Sequence, residues 1–210
     1  MSILARALPL TLVGLVLTGS CGALDGGGRG TGITTTAQGN VTEVKSASDQ
    51  QNPVDGLRVT IARHGQGVTD SAGVFSVQGK FEGHLTVLFT RRTDGIRASL
   101  PIFLPSGGTL TLNGVEIDNT HGTATADSEE VDFLGEITRA DCAAETLFML
   151  AAKRPPKDTD VYAVQLDTSS LEDSQGNPLA CSAVRSGQVA HVQGTVNPDN
   201  SFGHAKIVIE

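Results

Sequence analysis

The sequence predicts an all-β protein in which two small β-units follow an export leader and a glycine-rich spacer. The 210-residue chain has 25 Gly but only 7 Phe, 1 Tyr and no Trp. Short apolar segments recur along it with turn-forming residues between them. A chain of this length has room for one or two domains. This composition is typical of many short strands joined by tight turns.

The first twenty residues have the pattern of an export leader. Arg6 precedes an apolar run over residues 7–17, and the small residues Gly19 and Ser20 follow it. The run is too short to cross a bilayer as a helix, which needs about 20 apolar residues. It has the proportions of the apolar part of a signal peptide. We therefore expect residues 1–20 to be removed on export.

Cys21 comes directly after these small residues, and the segment resembles the lipobox of bacterial lipoproteins. The resemblance implies that Cys21 receives a diacylglyceryl group and that lipid then holds the chain on a membrane. The family usually has Leu three residues before the cysteine, whereas this chain has Thr18 there and Leu17 one position further back. One alternative is an ordinary signal peptide cut near Ser20, which would leave a soluble periplasmic protein. The other is an anchor formed by the apolar run itself.

Residues 21–39 are predicted to form a flexible tether. They are mostly glycine, threonine and other small or polar residues, so ordering them would bury almost nothing. A flexible chain of this length spans about 25 Å root-mean-square, enough to hold a folded body away from a lipid surface. By the lipoprotein resemblance, Gly22 in place of Asp favours the outer membrane, on its periplasmic side or at the cell surface.

Residues 40–118 are predicted to form the first β-unit. Residues 57–61 alternate between apolar and polar, which gives a strand one buried and one solvent-facing side. Residues 70–73 carry the Asp and Gly that a type I turn prefers at its ends, and we expect this turn to join a hairpin. Pro101 and Pro105 cannot donate to a strand ladder, so their strand belongs at an edge or a bulge. The strand-like segments are residues 41–44, 57–61, 74–77, 85–89, 98–104 and 109–112.

The turn and core positions of this unit follow the order Gly39-x-Val41, Val54-Asp55-Gly56-Leu57-x-Val59, Thr69-Asp70-x-x-Gly73-x-Phe75 and Gly83-x-Leu85. This order resembles a carboxypeptidase regulatory-like domain of the transthyretin-like sandwich type. The resemblance implies a β-sandwich and a non-catalytic accessory module, a type sometimes linked to carbohydrate or surface binding. Because its motifs are turns and core positions, it bears on the fold and not on the function.

Residues 119–130 are small and polar and are predicted to be a linker to the second unit, residues 131–210. Residues 197–201 form a strong turn signal between the last two strands. Gly135 and Gly194 lie inside strand patterns, where glycine often marks a bulge or a sharp coil. Five strands with such glycines favour a small closed barrel, and their layout resembles the OB-type barrels of secreted bacterial proteins of unknown function. The strand-like segments are residues 131–137, 147–150, 161–166, 189–196 and 205–209.

Cys142 and Cys181 both lie in the second unit. Exported proteins fold in an oxidising compartment, and with Cys21 lipidated the remaining cysteine count is even. A Cys142–Cys181 disulfide is therefore predicted, and two free buried thiols are the alternative. His191 and His204 could face each other across the final hairpin and hold a metal. No cysteine or histidine pair has zinc-ligand spacing, however, so no metal site is predicted.

The composition and motifs argue against catalysis and against nucleic-acid binding. A net charge of −8 repels phosphate backbones unless a basic patch intervenes. The adjacent basic pairs Arg91-Arg92 and Lys153-Arg154 are interpreted as solvated loop charges. The chain contains no G-x-S-x-G, H-E-x-x-H, P-loop or dinucleotide-binding motif. We therefore expect no enzyme activity, no catalytic residues, no cofactor and no nucleic-acid partner.

These observations predict a membrane-anchored lipoprotein of the cell envelope that acts as a non-catalytic binding or structural module. Its partner would be an envelope protein or polymer. The alternatives are a small-ligand or glycan-binding lipoprotein and an unrecognised hydrolase. An exposed row of aromatic side chains would favour the first alternative. A deep pocket with clustered Asp, His or Ser would favour the second, and a mostly polar surface would favour the leading prediction.

Overall fold

The computed structural model describes residues 34–45, 50–51, 54–61, 65–151 and 161–210. Within these ranges the regular structure is all β apart from one 3-10 turn, Cys181–Ala183, so the predicted fold class is confirmed. The leader, Cys21 and the tether up to residue 33 lie outside the described residues. Among the described residues, no helix combines the length and the apolar character needed to span a bilayer.

The strands are numbered in chain order. The first nine are β1 (Thr35–Lys45), β2 (Gln50–Gln51), β3 (Arg58–Ile61), β4 (Gly65–Val68), β5 (Val74–Gly79), β6 (Gly83–Arg91), β7 (Ile96–Leu104), β8 (Thr109–Asp118) and β9 (Thr123–Thr125). The last six are β10 (Ser128–Asp141), β11 (Thr146–Ala151), β12 (Val161–Gln165), β13 (Ser170–Asp173), β14 (Val189–Val196) and β15 (Phe202–Ile209).

Strands β1 to β9 form the sandwich, which has two layers. In one layer β1 lies between β5, which is antiparallel to it, and β8, which is parallel to it. The other layer has the antiparallel order β4-β3-β6-β7, and β9 links the layers by pairing with β7 and β8. Phe75 of β5 and Phe89 of β6 meet edge-on in the core, with ring centroids 5.8 Å apart. The layers therefore bury their apolar faces against each other.

The predicted turn between β4 and β5 is present, but the expected hairpin is not. The Gly73 N–H donates to the Asp70 carbonyl at 2.9 Å. The Asp70 carboxylate accepts from the N–H groups of Ala72 and Val74, both at 2.9 Å. However, β4 pairs with β3 while β5 pairs with β1. The turn therefore carries the chain from one layer to the other.

The first strand corrects the predicted end of the tether. β1 begins at Thr35, so residues 35–39 are paired backbone and not part of a flexible segment. Thr35 and Ala37 are buried. A Cβ atom at Gly39 would lie only 2.2 Å from the backbone oxygen of Leu112 in β8. The small residues of this segment let β1 lie close to β8. A flexible spacer is also rich in small residues, so composition alone does not separate the two.

Strands β10, β11, β12, β15 and β14 close a barrel, each pairing with the next and β14 returning to β10. Five strands closed in this way match the predicted OB-like architecture. The register shifts at Gly194, where a Cβ would lie 2.7 Å from the Ala205 Cβ. The predicted turn between β14 and β15 is present, with the Asn197 N–H donating to the Ser201 carbonyl at 2.8 Å.

The sandwich and the barrel share a sheet and an aromatic cluster. The predicted linker, residues 119–130, contains β9 and the start of β10, and β10 pairs directly with β8. Small polar residues occupy this segment because it forms a turn and exposed strand positions. Phe103 of β7 packs against two barrel rings, with centroids 5.5 Å from Tyr162 and 5.9 Å from Phe202. No spacer separates the two units.

Candidate functional site

A polar sheet face runs across the junction of the sandwich and the barrel. On β10 the side chains of Glu130, Asp132 and Leu134 point to solvent, while Val131 and Phe133 between them are buried. This is the two-residue alternation of a strand that has one solvent-facing side and one buried side. β10 pairs with β8 on one side and β14 on the other. The polar face is therefore built on the three strands β8, β10 and β14.

Asp132 is the centre of a hydrogen-bonded group on this face. Its Oδ1 lies 2.6 Å from His191 Nε2, and its Oδ2 accepts from Gln193 Nε2 at 2.8 Å. His191 and Gln193 are two residues apart on β14 and so share a side of that strand. Partial burial alone would raise the pKa of Asp132, but the hydrogen bonds from Gln193 and His191 lower it below its usual value. The carboxylate is ionised at neutral pH.

Two depressions flank Asp132. One, of about 430 Å³, lies beside Leu134 and His191 and has mostly apolar walls. The other, of about 500 Å³, is lined by polar side chains that include Glu130, Gln193 and His204. Leu134 is 49% exposed, so it offers an apolar contact in the middle of a polar surface. The face combines hydrogen-bonding groups with one apolar contact point.

Of the groups on this face, the Asp132–His191 pair is the one most suited to binding a ligand or transferring a proton. A carboxylate on one ring nitrogen fixes the orientation of an imidazole and leaves the other nitrogen free for a ligand. Within the described ranges no serine, threonine or cysteine is hydrogen-bonded to His191. The two side chains are 37% and 49% exposed, so water screens their interaction. The geometry therefore suits recognition of a hydrogen-bonding partner better than activation of a nucleophile.

The predicted disulfide is confirmed. Cys142 lies in the turn between β10 and β11, and Cys181 begins the 3-10 turn that precedes β14. The two residues are bonded, with their Cα atoms 5.7 Å apart. Cys21 lies outside the described residues, so its lipidation stays a prediction.

His191 and His204 do not face each other across the final hairpin. His191 lies opposite Val208, whereas His204 lies beside the bulge at Gly194 with a φ of 47°. Among the residues that the structure describes, no group of three or more His, Cys, Asp or Glu side chains could hold a metal ion. The histidine pair considered as a metal site is therefore not assembled.

All seven phenylalanines and the one tyrosine of the chain are described, and none is exposed. Phe148 is half-buried, and the guanidinium carbon of Arg139 lies 4.2 Å from its ring centroid. Phe103 is also half-buried and packs against Tyr162 and Phe202 of the barrel; we call these three rings the junction cluster. The buried rings are Phe75, Phe81, Phe89, Phe133, Tyr162 and Phe202. The exposed aromatic row that would favour sugar binding by ring stacking is not formed.

Sequence reasoning singled out His191 but missed Asp132 and Gln193. Alternation within residues 131–137 and 189–196 could have placed these side chains on the wet side of their strands. It could not show that β10 and β14 are neighbours. Comparison with protein-family models and with curated proteins finds no match to this chain, so the functional assignment depends on the geometry of its own residues.

Proposed function

We propose that the protein is a lipoprotein of the cell envelope, held to a membrane by lipid on Cys21, whose folded body is a non-catalytic binding module. The observation that carries the binding role is the polar face on β8, β10 and β14. It extends over both the sandwich and the barrel, because β10 belongs to the shared sheet. Residues 128–136 of β10 pair with β8 or β14, and a strand of this length is about 30 Å long, which is ample for contact with a protein or a polymer.

The side chains of this face are already held in place. Thr111 of β8 accepts from Gln38 of the neighbouring strand β1 at 3.3 Å, and the Asn113 amide donates to Glu130 at 3.0 Å. Asp132 is held by its two partners on β14. Ordering flexible side chains is one of the costs of association, so a face whose groups are pre-positioned loses less free energy on binding. Its carboxylates favour a partner that presents hydrogen-bond donors or positive charge.

The anchoring part of the proposal is tested by labelling. Palmitate should enter the wild-type chain, and Cys21→Ser should abolish the label and move the protein out of the membrane fraction or leave it as precursor. Val68→Ala, which changes an exposed side chain and keeps both Cys21 and the Cys142–Cys181 disulfide, is the control and should retain the label. A wild-type chain that takes up no palmitate would contradict the lipoprotein assignment.

The binding face is tested by site-specific photocrosslinking in intact cells. A crosslinking residue at Leu134 should join a partner, and Asp132→Ala in the same chain should weaken that product. Val74, which is 48% exposed against 49% for Leu134, is the control position on the sandwich. Equal products from both positions, or a product indifferent to Asp132→Ala, would show that the face has no specific partner.

A further inference from the structure

Four arginines line one cleft of about 750 Å³ on the outer face of β3, β6 and β7. They are Arg58, Arg91, Arg92 and Arg97. The sequence alone indicates that the adjacent Arg91 and Arg92 are an isolated pair of solvated loop charges. The fold corrects this interpretation, because strand pairing adds one arginine from β3 and one from β7 to the pair.

The strand register explains why these side chains meet. Arg58 lies opposite Thr90 of β6, and Thr90 lies opposite Arg97 of β7. Two strand spacings place the Cα atoms of Arg58 and Arg97 about 10 Å apart. Both residues are exposed, while Val59 and Ala98 beside them are buried, so both side chains lie on the solvent side of the layer. Side chains of this length can reach a single small ligand between them.

The positive charge of the cleft is largely uncompensated. Arg91 is held by the carboxylate of Asp94, 2.5 Å away, and by the carbonyl of Asp55. Within the described ranges Arg58, Arg92 and Arg97 form no ion pair, and no acidic side chain is among the residues that line the cleft. The chain as a whole has a net charge of −8. A cluster of this kind is therefore not a consequence of a basic composition.

The geometry points to an anion site in which Arg58, Arg92 and Arg97 bind the phosphate group of a ligand. Guanidinium forks match the oxygens of phosphate and carry their charge at any physiological pH. A carboxylate has only two oxygens, so at least one of three guanidiniums would have no oxygen of its own to bind. A phosphoryl group presents three acceptor oxygens and up to two negative charges. Thr90, between Arg58 and Arg97, adds a hydroxyl to the lining.

The cleft lies at the end of the sandwich opposite Thr35. The carbonyl of Lys45, the last residue of β1, accepts from the Asn119 N–H at 2.9 Å, and Asn119 Oδ1 accepts from the Arg97 N–H at 2.9 Å. The 11 residues of β1 put about 35 Å between its two ends. If Cys21 is lipidated, as the proposed function has it, the cleft lies at the end of the sandwich furthest from the residue at which the tether joins it. The phosphate can come from a soluble molecule, a polymer or a lipid headgroup, and titration with pyrophosphate and sedimentation with vesicles distinguish these sources.

Calorimetric titration of the full chain with inorganic pyrophosphate at low salt tests the site. We expect saturable binding at one site, weakened at least tenfold when Arg58, Arg92 and Arg97 are all changed to Gln. In a control variant, Lys45, Lys80 and Lys206 are changed to Gln, which removes the same number of positive charges from exposed positions outside the cleft. Its affinity should stay within about twofold of wild type. Circular dichroism of both variants checks that the fold is retained.

Several outcomes would overturn the assignment. No binding of pyrophosphate, or equal weakening by the arginine and lysine variants, would show that the cleft is not a specific site. Citrate binding as tightly as pyrophosphate would remove the preference for phosphate. Arginine-dependent sedimentation of a Cys21→Ser chain with phosphatidylglycerol vesicles, without pyrophosphate binding, would mean that the cleft recognises a lipid surface. None of these results changes palmitate labelling, so failure of the proposed function is detected separately.

Discussion

Removing the Cys142–Cys181 bond should destabilise the barrel measurably. The bond joins residues 39 apart in sequence, and the loop that it closes contains β11, β12 and β13. The chain-entropy relation for a loop of this length gives a loss of about 4 kcal/mol when the bond is absent, because the unfolded chain regains the freedom of the open loop. Folded domains have only about 5–15 kcal/mol of net stability, so this loss is a large share.

The size of the melting shift also reports how the sandwich and the barrel unfold. A body of about 150–250 residues that unfolds as one loses about 2–4 °C per kcal/mol, which gives a shift of about 8–16 °C. A barrel that melts alone, at about 60–100 residues, would shift by about 16–32 °C. The pairing of β8 with β10 and the packing of Phe103 against the barrel rings favour joint unfolding. We therefore expect the smaller shift, in a single transition.

The assay compares the wild-type chain with a variant in which Cys142 and Cys181 are both Ser, by calorimetry. Cys21→Ser is the control because it removes a cysteine but keeps the bond. Alkylation of the denatured wild-type chain without reductant should leave Cys142 and Cys181 unmodified. If both cysteines react, or if the double variant melts at the wild-type temperature, the reasoning is refuted.

Four further substitutions test the packing and the charges. Phe103→Ala should lower the free energy of unfolding by about 2 kcal/mol, as measured in denaturant. This is less than for a fully buried Phe because the ring is half-buried. An equal effect from Val68→Ala, which truncates a 62% exposed side chain, would show that Phe103 does not stabilise the junction. Gly39→Ala should lower the free energy of unfolding by about 3 kcal/mol, because the new Cβ would overlap the backbone oxygen of Leu112. Unchanged stability would contradict the register of β1 and β8. The pKa of Asp132 is lowered in the folded state, so its ionised carboxylate stabilises the fold at neutral pH. This contribution is lost as the pH falls below about 4 and the carboxylate is protonated. Burial raises the pKa of Glu129, so its ionised form lowers stability at neutral pH. In urea titrations Asp132→Asn should therefore be destabilising and Glu129→Gln stabilising at pH 7, and both differences should shrink below about pH 4; differences that do not change with pH would exclude this origin.

Local features of the fold were predictable from the sequence. The turn from Asp70 to Gly73 and the turn from Asn197 to Ser201 depend on residues within one turn, and both are present. Pairing partners were not predictable, because they depend on residues far apart in the chain. The sequence around the Asp70–Gly73 turn therefore predicts a hairpin, whereas the turn joins two layers.

The candidate site was less accessible from the sequence for the same reason. Asp132 and His191 are 59 residues apart, and only the pairing of β10 with β14 brings them together. Alternation indicates which side of a strand a residue faces, but not which strand lies beside it. The arginine cleft was missed in the same way, since Arg58 reaches Arg97 through an intervening strand.

The position of β1 has a mechanical consequence. Over residues 35–40 the strand is flanked by β5 and β8, so it is the interior strand of its layer. Ladder hydrogen bonds run across the strands, so a force that pulls Thr35 along the axis of β1 loads many of them at once, in shear. The same force along an edge strand such as β4 would load only one ladder of hydrogen bonds, the one shared with β3. The strand that receives tension from the preceding chain is thus the one best placed to resist extraction.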